Sequence, residues 1–134
     1  MSIEATRETM SRYLGSAHSD VSMMADDVVF TAMATGQQYT GREAVLGMLH
    51  HFYRVAFDAT AETRVTLFGE SNAMVEGRFV GKHIGEFAGV AATDRMVDVP
   101  VCVVYDLDGD KIRAGRIYFE MPVLLQQLGV AFAS

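Results

Sequence analysis

The chain has 134 residues, of which 50% are hydrophobic and 21% are charged, and its formal net charge is −6 at pH 7. This length and apolar content fit one hydrophobic core and exclude a disordered chain. The 11 Lys and Arg residues are scattered without a basic run, which disfavours nucleic acid as a partner.

The single cysteine, Cys102, lies in the apolar run VPVCVVY. One cysteine excludes a disulfide framework and a cysteine-based metal site. Free cysteines are among the most buried residues, so a buried and unreactive thiol is predicted.

The first residues, MSIEATRETMSRYL, carry two glutamates and two arginines, whereas a secretory signal needs a continuous apolar segment. No later apolar run approaches the roughly 18 residues that cross a bilayer. We therefore expect a cytoplasmic protein with no membrane partner.

The first half of the chain shows helical spacing twice. Residues 2–17 place apolar side chains at steps of three and four, which predicts an amphipathic helix. DDVVFTAM then reads as a strand that ends at the turn ATGQQ. GREAVLGMLHHFYRVAF predicts a second long helix, whose apolar face carries Val45, Met48 or Leu49, Phe52 and Ala56.

From residue 59 onward the apolar period changes to two, which predicts strands near 61–69, 72–84, 96–106 and 111–120. PVLLQQLGV predicts a last helix that starts at Pro122 and stops at Gly129. Helices followed by an antiparallel meander indicate an α+β fold in one domain, residues 1–134, with the sheet curling around the helices.

Strand periodicity sorts the side chains of residues 73–83 into two faces. The more apolar face, which we expect to meet the core, carries Ala73, Val75, Gly77, Phe79, Gly81 and His83. His83 should therefore point inward, either as an ordinary core histidine or as a functional group. The glycines of this region are predicted to mark bends in a curved sheet.

Periodicity alone does not orient the last strand, because both of its faces mix apolar and polar residues. If the face of Ile112 points inward, then Arg116, Tyr118 and Glu120 enter one enclosed space. Burial there would raise the pKa of the Glu120 carboxyl and allow proton exchange near neutral pH. The alternative is that Glu120 caps the helix that follows it.

The order of these elements, together with ADDVVF, TGQQYTGREAV, GKHIGEFAGVAATDR, VPVCVVYDLDGDKI and RIYFEMPVLLQQLG, resembles the SnoaL-like polyketide cyclases of the nuclear transport factor 2-like superfamily. The resemblance covers nearly the whole chain. It implies a cone in which a strongly bent antiparallel sheet and three helices enclose an apolar cavity, usually in a homodimer formed through the sheets. The implied reaction is an intramolecular aldol closure of a polyketide methyl ester, without a metal or an organic cofactor.

The resemblance also implies roles for individual residues. The family's aspartate in its Tyr-Phe-Asp pattern falls on Glu120, and its histidine in the Gly-Thr-His-Thr-Gly pattern falls on His83. We therefore predict that Glu120 removes and returns a proton on a small apolar carbonyl compound, while His83 or Tyr118 stabilises the enolate oxygen. The residues expected to bind the substrate are Tyr13, Phe52, Phe79, Cys102 and Arg116.

Three positions depart from the family pattern. Glu120 is one methylene longer than the family's aspartate. The segment SAHSDVSMMADD is several residues shorter than the usual second helix, which is expected to reshape one cavity wall. Asp94 stands in place of the glycine of the usual Ala-Thr-Gly-Arg turn, which predicts a changed turn at the cavity rim.

Two other enzyme functions of this fold are disfavoured by the residues of this sequence, and one non-catalytic function remains open. A limonene-type epoxide hydrolase needs an Arg-x-Asp pair, which the sequence lacks. A ketosteroid isomerase needs a base in the strand before GREAV, where Ala32 stands. A non-catalytic module that binds a hydrophobic ligand or forms dimers remains open, and it predicts that Glu120 bonds to Arg116 or to backbone amides.

Overall fold

The computed structural model describes residues 2–130. It contains the helices α1 (Ile3–Gly15), α2 (Arg42–His50) and α3 (Met121–Gln127). The strands are β1 (Met24–Ala32), β2 (Gln37–Thr40), β3 (Phe57–Phe68), β4 (Asn72–His83), β5 (Met96–Asp108) and β6 (Lys111–Phe119). The predicted α+β class is confirmed.

The strands form one six-stranded sheet in the order β2-β1-β6-β5-β4-β3. The predicted antiparallel meander from β3 to β6 is confirmed. β1, however, runs parallel to β6, and β2 pairs antiparallel with β1 beyond the turn at ATGQQ. A parallel pair needs a long connection between its strands, and most of the chain lies between β1 and β6. The sequence prediction missed both β2 and this parallel pairing.

The second helix changes its winding before it meets β3. α2 continues into a π turn, His51–Ala56, and β3 begins at the next residue, Phe57. β3 therefore starts about four residues earlier than the apolar period predicted. Single π turns within helices are frequent at functional sites.

A β-bulge interrupts the alternation of side chains in β6. Asp106 pairs with Ala114, whereas the next residue of β5, Leu107, pairs with Ile112. Arg113 is consequently an extra residue without a partner on β5.

The bulge decides which side chains of β6 face inward. Ile112 is fully buried before it, and Ile117 and Phe119 line the interior beyond it. Tyr118 is 44% exposed on the opposite face. The sequence left the orientation of this strand open. The case in which Ile112 points inward together with Tyr118 and Glu120 does not occur, because one extra residue exchanges the two faces of a strand.

The inner face of β4 is as predicted. Ala73, Phe79 and His83 are all buried. A Cβ atom at Gly77 would lie 2.5 Å from the carbonyl oxygen of Glu62 on β3, so a glycine lets the two backbones approach closely there.

The loop between β4 and β5 explains the unusual residue at position 94. Asp94 has a φ of 58°, which is the left-handed conformation that glycine adopts most readily and that Asp tolerates better than most residues. The backbone N–H of Asp94 donates to the carbonyl oxygen of His83 at 2.9 Å. Asp94 thus occupies a backbone conformation that suits a glycine.

Candidate functional site

An interior cavity of about 200 Å³ lies between the helices and the inner face of the sheet. Its walls are mainly aromatic and aliphatic, and they include Phe52, Phe79, Val101, Val103, Ile117 and Phe119. Two clusters of buried residues flank it, one around Met10, Phe30 and Ile112, the other around Phe57, Phe79 and Leu124. A mostly apolar cavity with a few polar groups is the usual form of a small-molecule site.

Phe52 is the centre of the aromatic wall. Its ring centroid lies 4.5 Å from that of Phe79, 5.2 Å from that of Phe119 and 5.4 Å from that of Phe87. The next residue, Tyr53, also lines the cavity. Both residues belong to the π turn, in which the wider winding changes the direction of successive side chains.

One end of the cavity carries polar groups from α1 and the π turn. The fully buried Tyr13 has a hydroxyl group with no hydrogen-bond partner among residues 2–130. The His18 ring lies edge-on to Tyr13, with 5.3 Å between centroids, and stacks on Tyr53 at 5.6 Å with 14° between the planes. These three side chains form the polar end of the cavity.

Burial shifts the pKa values at this polar end. It raises the pKa of Tyr13 well above its usual value, and the neighbouring Tyr105 and Tyr53 raise it further. Burial also raises the pKa of Tyr53 to about 12 and lowers the pKa of His18. At pH 7 the phenols therefore keep their protons, and His18 is a neutral imidazole that accepts one.

The turn that carries His18 is held in an uncommon conformation. Ala17 and His18 have φ values of 56° and 63°. Positive φ costs a non-glycine residue about 1–3 kcal/mol, and such residues cluster at functional sites. The Ser16 hydroxyl stabilises the turn, because it donates to the carbonyl oxygen of Tyr13 and accepts from the backbone N–H of Asp20.

The sequence prediction did not identify His18. It lies in SAHSDVSMMADD, the segment expected to reshape a cavity wall because of its shortness. The small and polar letters SAHSD were a usable signal for a turn, and His is among the residues enriched at positive φ. Nothing in the local sequence indicated that the His18 ring would face a cavity.

The predicted site residues lie in different parts of the structure. Tyr13, Phe52 and Phe79 line the cavity. Tyr118, Glu120 and Cys102 line a groove on the outer face of the sheet instead, with Arg64 and Arg78.

Glu120 is exposed and does not enter the cavity. It occupies the N-cap position of α3, where its backbone carbonyl accepts from Leu124 at 3.2 Å, but its side chain makes no capping hydrogen bond. Neither the inward carboxylate nor the side-chain cap is observed.

Arg116 and Cys102 also belong to the outer face. Arg116 forms a two-pronged ion pair with Asp106, and this hydrogen bond lowers the pKa of Asp106. Partial burial, with a contribution from Glu76, raises the pKa of Cys102. The outward direction of both side chains separates them from the cavity that they were expected to line.

His83 is fully buried, as predicted, but it does not line the cavity. Its Nδ1 atom accepts from the backbone N–H of Thr93 at 3.2 Å, so the ring proton lies on Nε2. That Nε2 atom has no hydrogen-bond partner within residues 2–130. The structure therefore does not bring His83 and Glu120 to a shared cavity.

A model of the SnoaL-like polyketide cyclase family matches residues 14–128. The chain belongs to the SnoaL-like polyketide cyclase family. Its matched range begins before the His18 turn and ends within the last turn after α3, so it includes the whole sheet.

Solved structures show the same fold for this SnoaL-like chain. A protein from Jannaschia sp. CCS1, assigned as a SnoaL-like polyketide cyclase, has a TM-score of 0.83 and 17% identity, with 96% of this chain and 94% of that chain covered. A Pseudomonas putida KT2440 protein assigned as a polyketide cyclase has a TM-score of 0.78 and 17% identity, with coverage of 98% and 99%. IdmH from Streptomyces antibioticus, assigned likewise, has a TM-score of 0.73 and 22% identity, with coverage of 93% and 99%. Among curated protein sequences, none matches this chain.

Two further features of the SnoaL-like chain bear on its site. Within residues 2–130, no three His, Cys, Asp or Glu side chains are grouped to hold a metal ion. Across the same range, every helix is too short or too polar to cross a membrane.

Proposed function

We propose that this SnoaL-like protein is a cofactor-independent cyclase or isomerase that acts on a small apolar carbonyl compound. The observation that carries the proposal is the interior cavity, with its aromatic and aliphatic walls and with Tyr13 and His18 at one end. Such a cavity binds the apolar body of a ligand and leaves a few polar groups to orient its carbonyl group.

The size of the cavity limits the substrate. An apolar cavity of about 150 Å³ holds benzene, and this cavity measures about 200 Å³. A compound with one ring or two small fused rings fits that volume. The substrate class is therefore a compact aromatic or alicyclic ketone or ester.

The chemistry of the lining favours enolate formation. Phenol hydroxyl groups that keep their protons donate hydrogen bonds to a developing enolate oxygen. The described residues that line the cavity include four tyrosines and His18, and they include no Asp or Glu. The family pattern assigns the proton transfer to Glu120. The Glu120 carboxylate, however, lies outside this cavity.

The first experiment tests whether the cavity binds such a compound. Ala32 lies on the cavity wall, and Ala32→Leu fills space there, while Ala44→Leu adds the same atoms at an exposed site on α2. We expect acetophenone, titrated by NMR, to bind the wild-type chain and the Ala44→Leu variant and to bind the Ala32→Leu variant at least about tenfold more weakly, which corresponds to about 1.4 kcal/mol. Equal binding by all three proteins would contradict the proposal.

The second experiment tests catalysis. Proton abstraction next to a carbonyl group exchanges the methyl protons of acetophenone for deuterium in deuterium oxide, and NMR measures the rate. The wild-type chain should accelerate this exchange, and Glu120→Gln should leave the rate unchanged because Glu120 is exposed on the other side of the sheet. Binding without exchange would instead favour the non-catalytic binding module.

We also propose that the chain forms a homodimer through the outer face of the sheet. Val65, Leu67 and Tyr118 on this face are 44%, 54% and 44% exposed, and burial of exposed apolar surface drives association. Light scattering measures the mass in solution, and a monomer at all concentrations would refute the proposal.

A further inference from the structure

We propose that His18 is the catalytic base of the cavity and that Tyr13 donates the hydrogen bond that receives the enolate oxygen. This inference rests on the proposed function, because it assigns the proton transfer of that reaction to particular residues. It places the base on the turn after α1, not at the end of β6 where Glu120 stands.

The position of His18 suits a group that exchanges protons. Its ring borders the interior cavity and also a groove of about 520 Å³ between the end of α1, α2 and the start of β3. Leu49 and Tyr53 border both spaces as well. A base at this boundary contacts a bound ligand on one side and exchanges protons with water on the other.

His18 is also the lining residue with suitable proton chemistry. Among the described residues around the cavity, the phenols that lie nearest to His18 are those of Tyr13 and Tyr53, and burial raises the pKa values of both. Those phenols hold their protons at neutral pH, whereas a neutral imidazole accepts one. The His18 ring forms no hydrogen bond with residues 2–130, so a ring nitrogen remains available.

The buried hydroxyl of Tyr13 supplies an independent observation. Tyr13 lines the cavity beside His18, its side chain is fully buried, and its hydroxyl has no hydrogen-bond partner in the described chain. Leaving a buried hydroxyl unpaired costs about 1–3 kcal/mol. A ligand carbonyl oxygen that accepts a hydrogen bond from this hydroxyl would remove that cost, and the bond would strengthen as the oxygen becomes negative.

The proposed step balances without a further reactant. A neutral nitrogen of His18 takes a proton from the carbon next to the carbonyl group, and the C–H electron pair forms the C=C bond of an enolate. The carbonyl π pair moves to the oxygen, where Tyr13 donates its hydrogen bond. The imidazolium then returns the proton, either to another carbon in an isomerisation or to the new alkoxide after the enolate carbon has attacked a second carbonyl group.

The charged and titratable groups around His18 define the pH dependence. Tyr13 and Tyr53 pack against its ring, and His50 and Arg54 line the groove beside it. The phenols are neutral below their raised pKa values. The exchange rate should therefore rise with pH through the lowered pKa of His18 and stay level above it.

The test measures deuterium exchange of acetophenone and its binding in the same samples. His18→Gln keeps a polar side chain but removes the base, and His51→Gln makes the same change at an exposed position outside both spaces. We expect the His18→Gln variant to bind acetophenone but to lose about 100-fold or more of the exchange rate. The His51→Gln variant should match the wild-type chain.

A second variant separates catalysis from folding. Glycine adopts the φ of 63° at position 18 without strain, so His18→Gly should fold and leave a space for free imidazole. Added imidazole should restore exchange to the His18→Gly variant and should not accelerate the wild-type reaction to the same degree.

Three outcomes would overturn the assignment. If the His18→Gln variant binds acetophenone and exchanges it at the wild-type rate, His18 is not the base, and the proposed function stands. If the wild-type chain binds but does not catalyse exchange, the enzyme function fails together with the assignment. If the wild-type chain does not bind acetophenone, both proposals fail at the cavity.

Discussion

Replacing Phe79 with alanine should remove a large part of the stability of the fold. Phe79 is fully buried, and its ring centroid lies 4.5 Å from that of Phe52, 5.2 Å from those of Tyr53 and Phe57, and 5.6 Å from that of Phe119. Phe→Ala substitutions in cores cost about 3–5 kcal/mol. Aromatic pairs contribute beyond their buried area, so we expect about 4 kcal/mol for Phe79→Ala.

The assay is urea unfolding followed by circular dichroism. Phe79→Leu is the control, because it keeps most of the volume and should cost less than about 1.5 kcal/mol. A domain is typically stable by about 5–15 kcal/mol, so the alanine variant should remain folded in the absence of urea. A loss below about 1 kcal/mol would refute the placement of Phe79 as a fully buried side chain packed against four aromatic rings.

The same variant offers a second measurement. Phe79 lines the cavity, so its removal enlarges the apolar space that is already present. A ligand that binds only the folded state stabilises it in proportion to its affinity. Benzene should therefore raise the unfolding midpoint of Phe79→Ala more than that of the wild-type chain, and an equal effect on both proteins would contradict the cavity's position.

Gly77→Ala should lower the free energy of unfolding by about 1–3 kcal/mol, because the new Cβ meets the backbone of β3. Gly47→Ala should raise it by up to about 1 kcal/mol, because no atom lies within 4 Å of the new Cβ. Chemical denaturation measures both free energies. Burial lowers the pKa of His18 in the folded state, so below the usual histidine pKa of about 6.5 the unfolded state binds more protons than the folded state. The stability of the wild-type chain should therefore fall as pH falls below about 6.5. The His18→Gln variant should show a smaller fall. Asp106→Asn should cost about 0.5–1 kcal/mol at pH 7, because the ion pair with Arg116 is partly exposed. Since Arg116 lowers the pKa of Asp106, this difference should vanish as pH falls below about 4 and through the lowered pKa.

Much of the fold is predictable from the sequence because strands β3 to β6 alternate apolar and polar residues with little interruption. The inner face of β4, which includes Phe79 and His83, follows directly from that period. β2 escaped prediction because QQYT has no strong apolar alternation of its own. Its pairing with β1 is a tertiary contact that overrides the local preference.

The candidate site is less predictable, because it depends on features that a period does not encode. The bulge at Arg113 exchanges the two faces of the part of β6 that follows it, so Tyr118 and Glu120 lie on the outer face. The turn at Ala17 and His18 has positive φ values. These residue types can adopt such values, but the sequence does not predict them. Tyr13, Phe52 and Phe79 were predicted because apolar residues on helix and strand faces reach the interior by ordinary packing.

The bulge in β6 means that the pairing of a position, as much as the residue that stands there, governs which groups reach the interior of this protein. If Arg113 paired with β5 as an ordinary strand residue, every later side chain of β6 would change face. Arg116 and Tyr118 would then turn inward, and Gly115, where a Cβ would lie 2.9 Å from the Phe30 ring, would turn outward. Deleting Arg113, in contrast, would make the pairing regular and leave Ile117 and Phe119 on the inner face. Two relatives with the same residues at the end of this strand can present opposite surfaces to a ligand, and the presence of the bulge tells them apart.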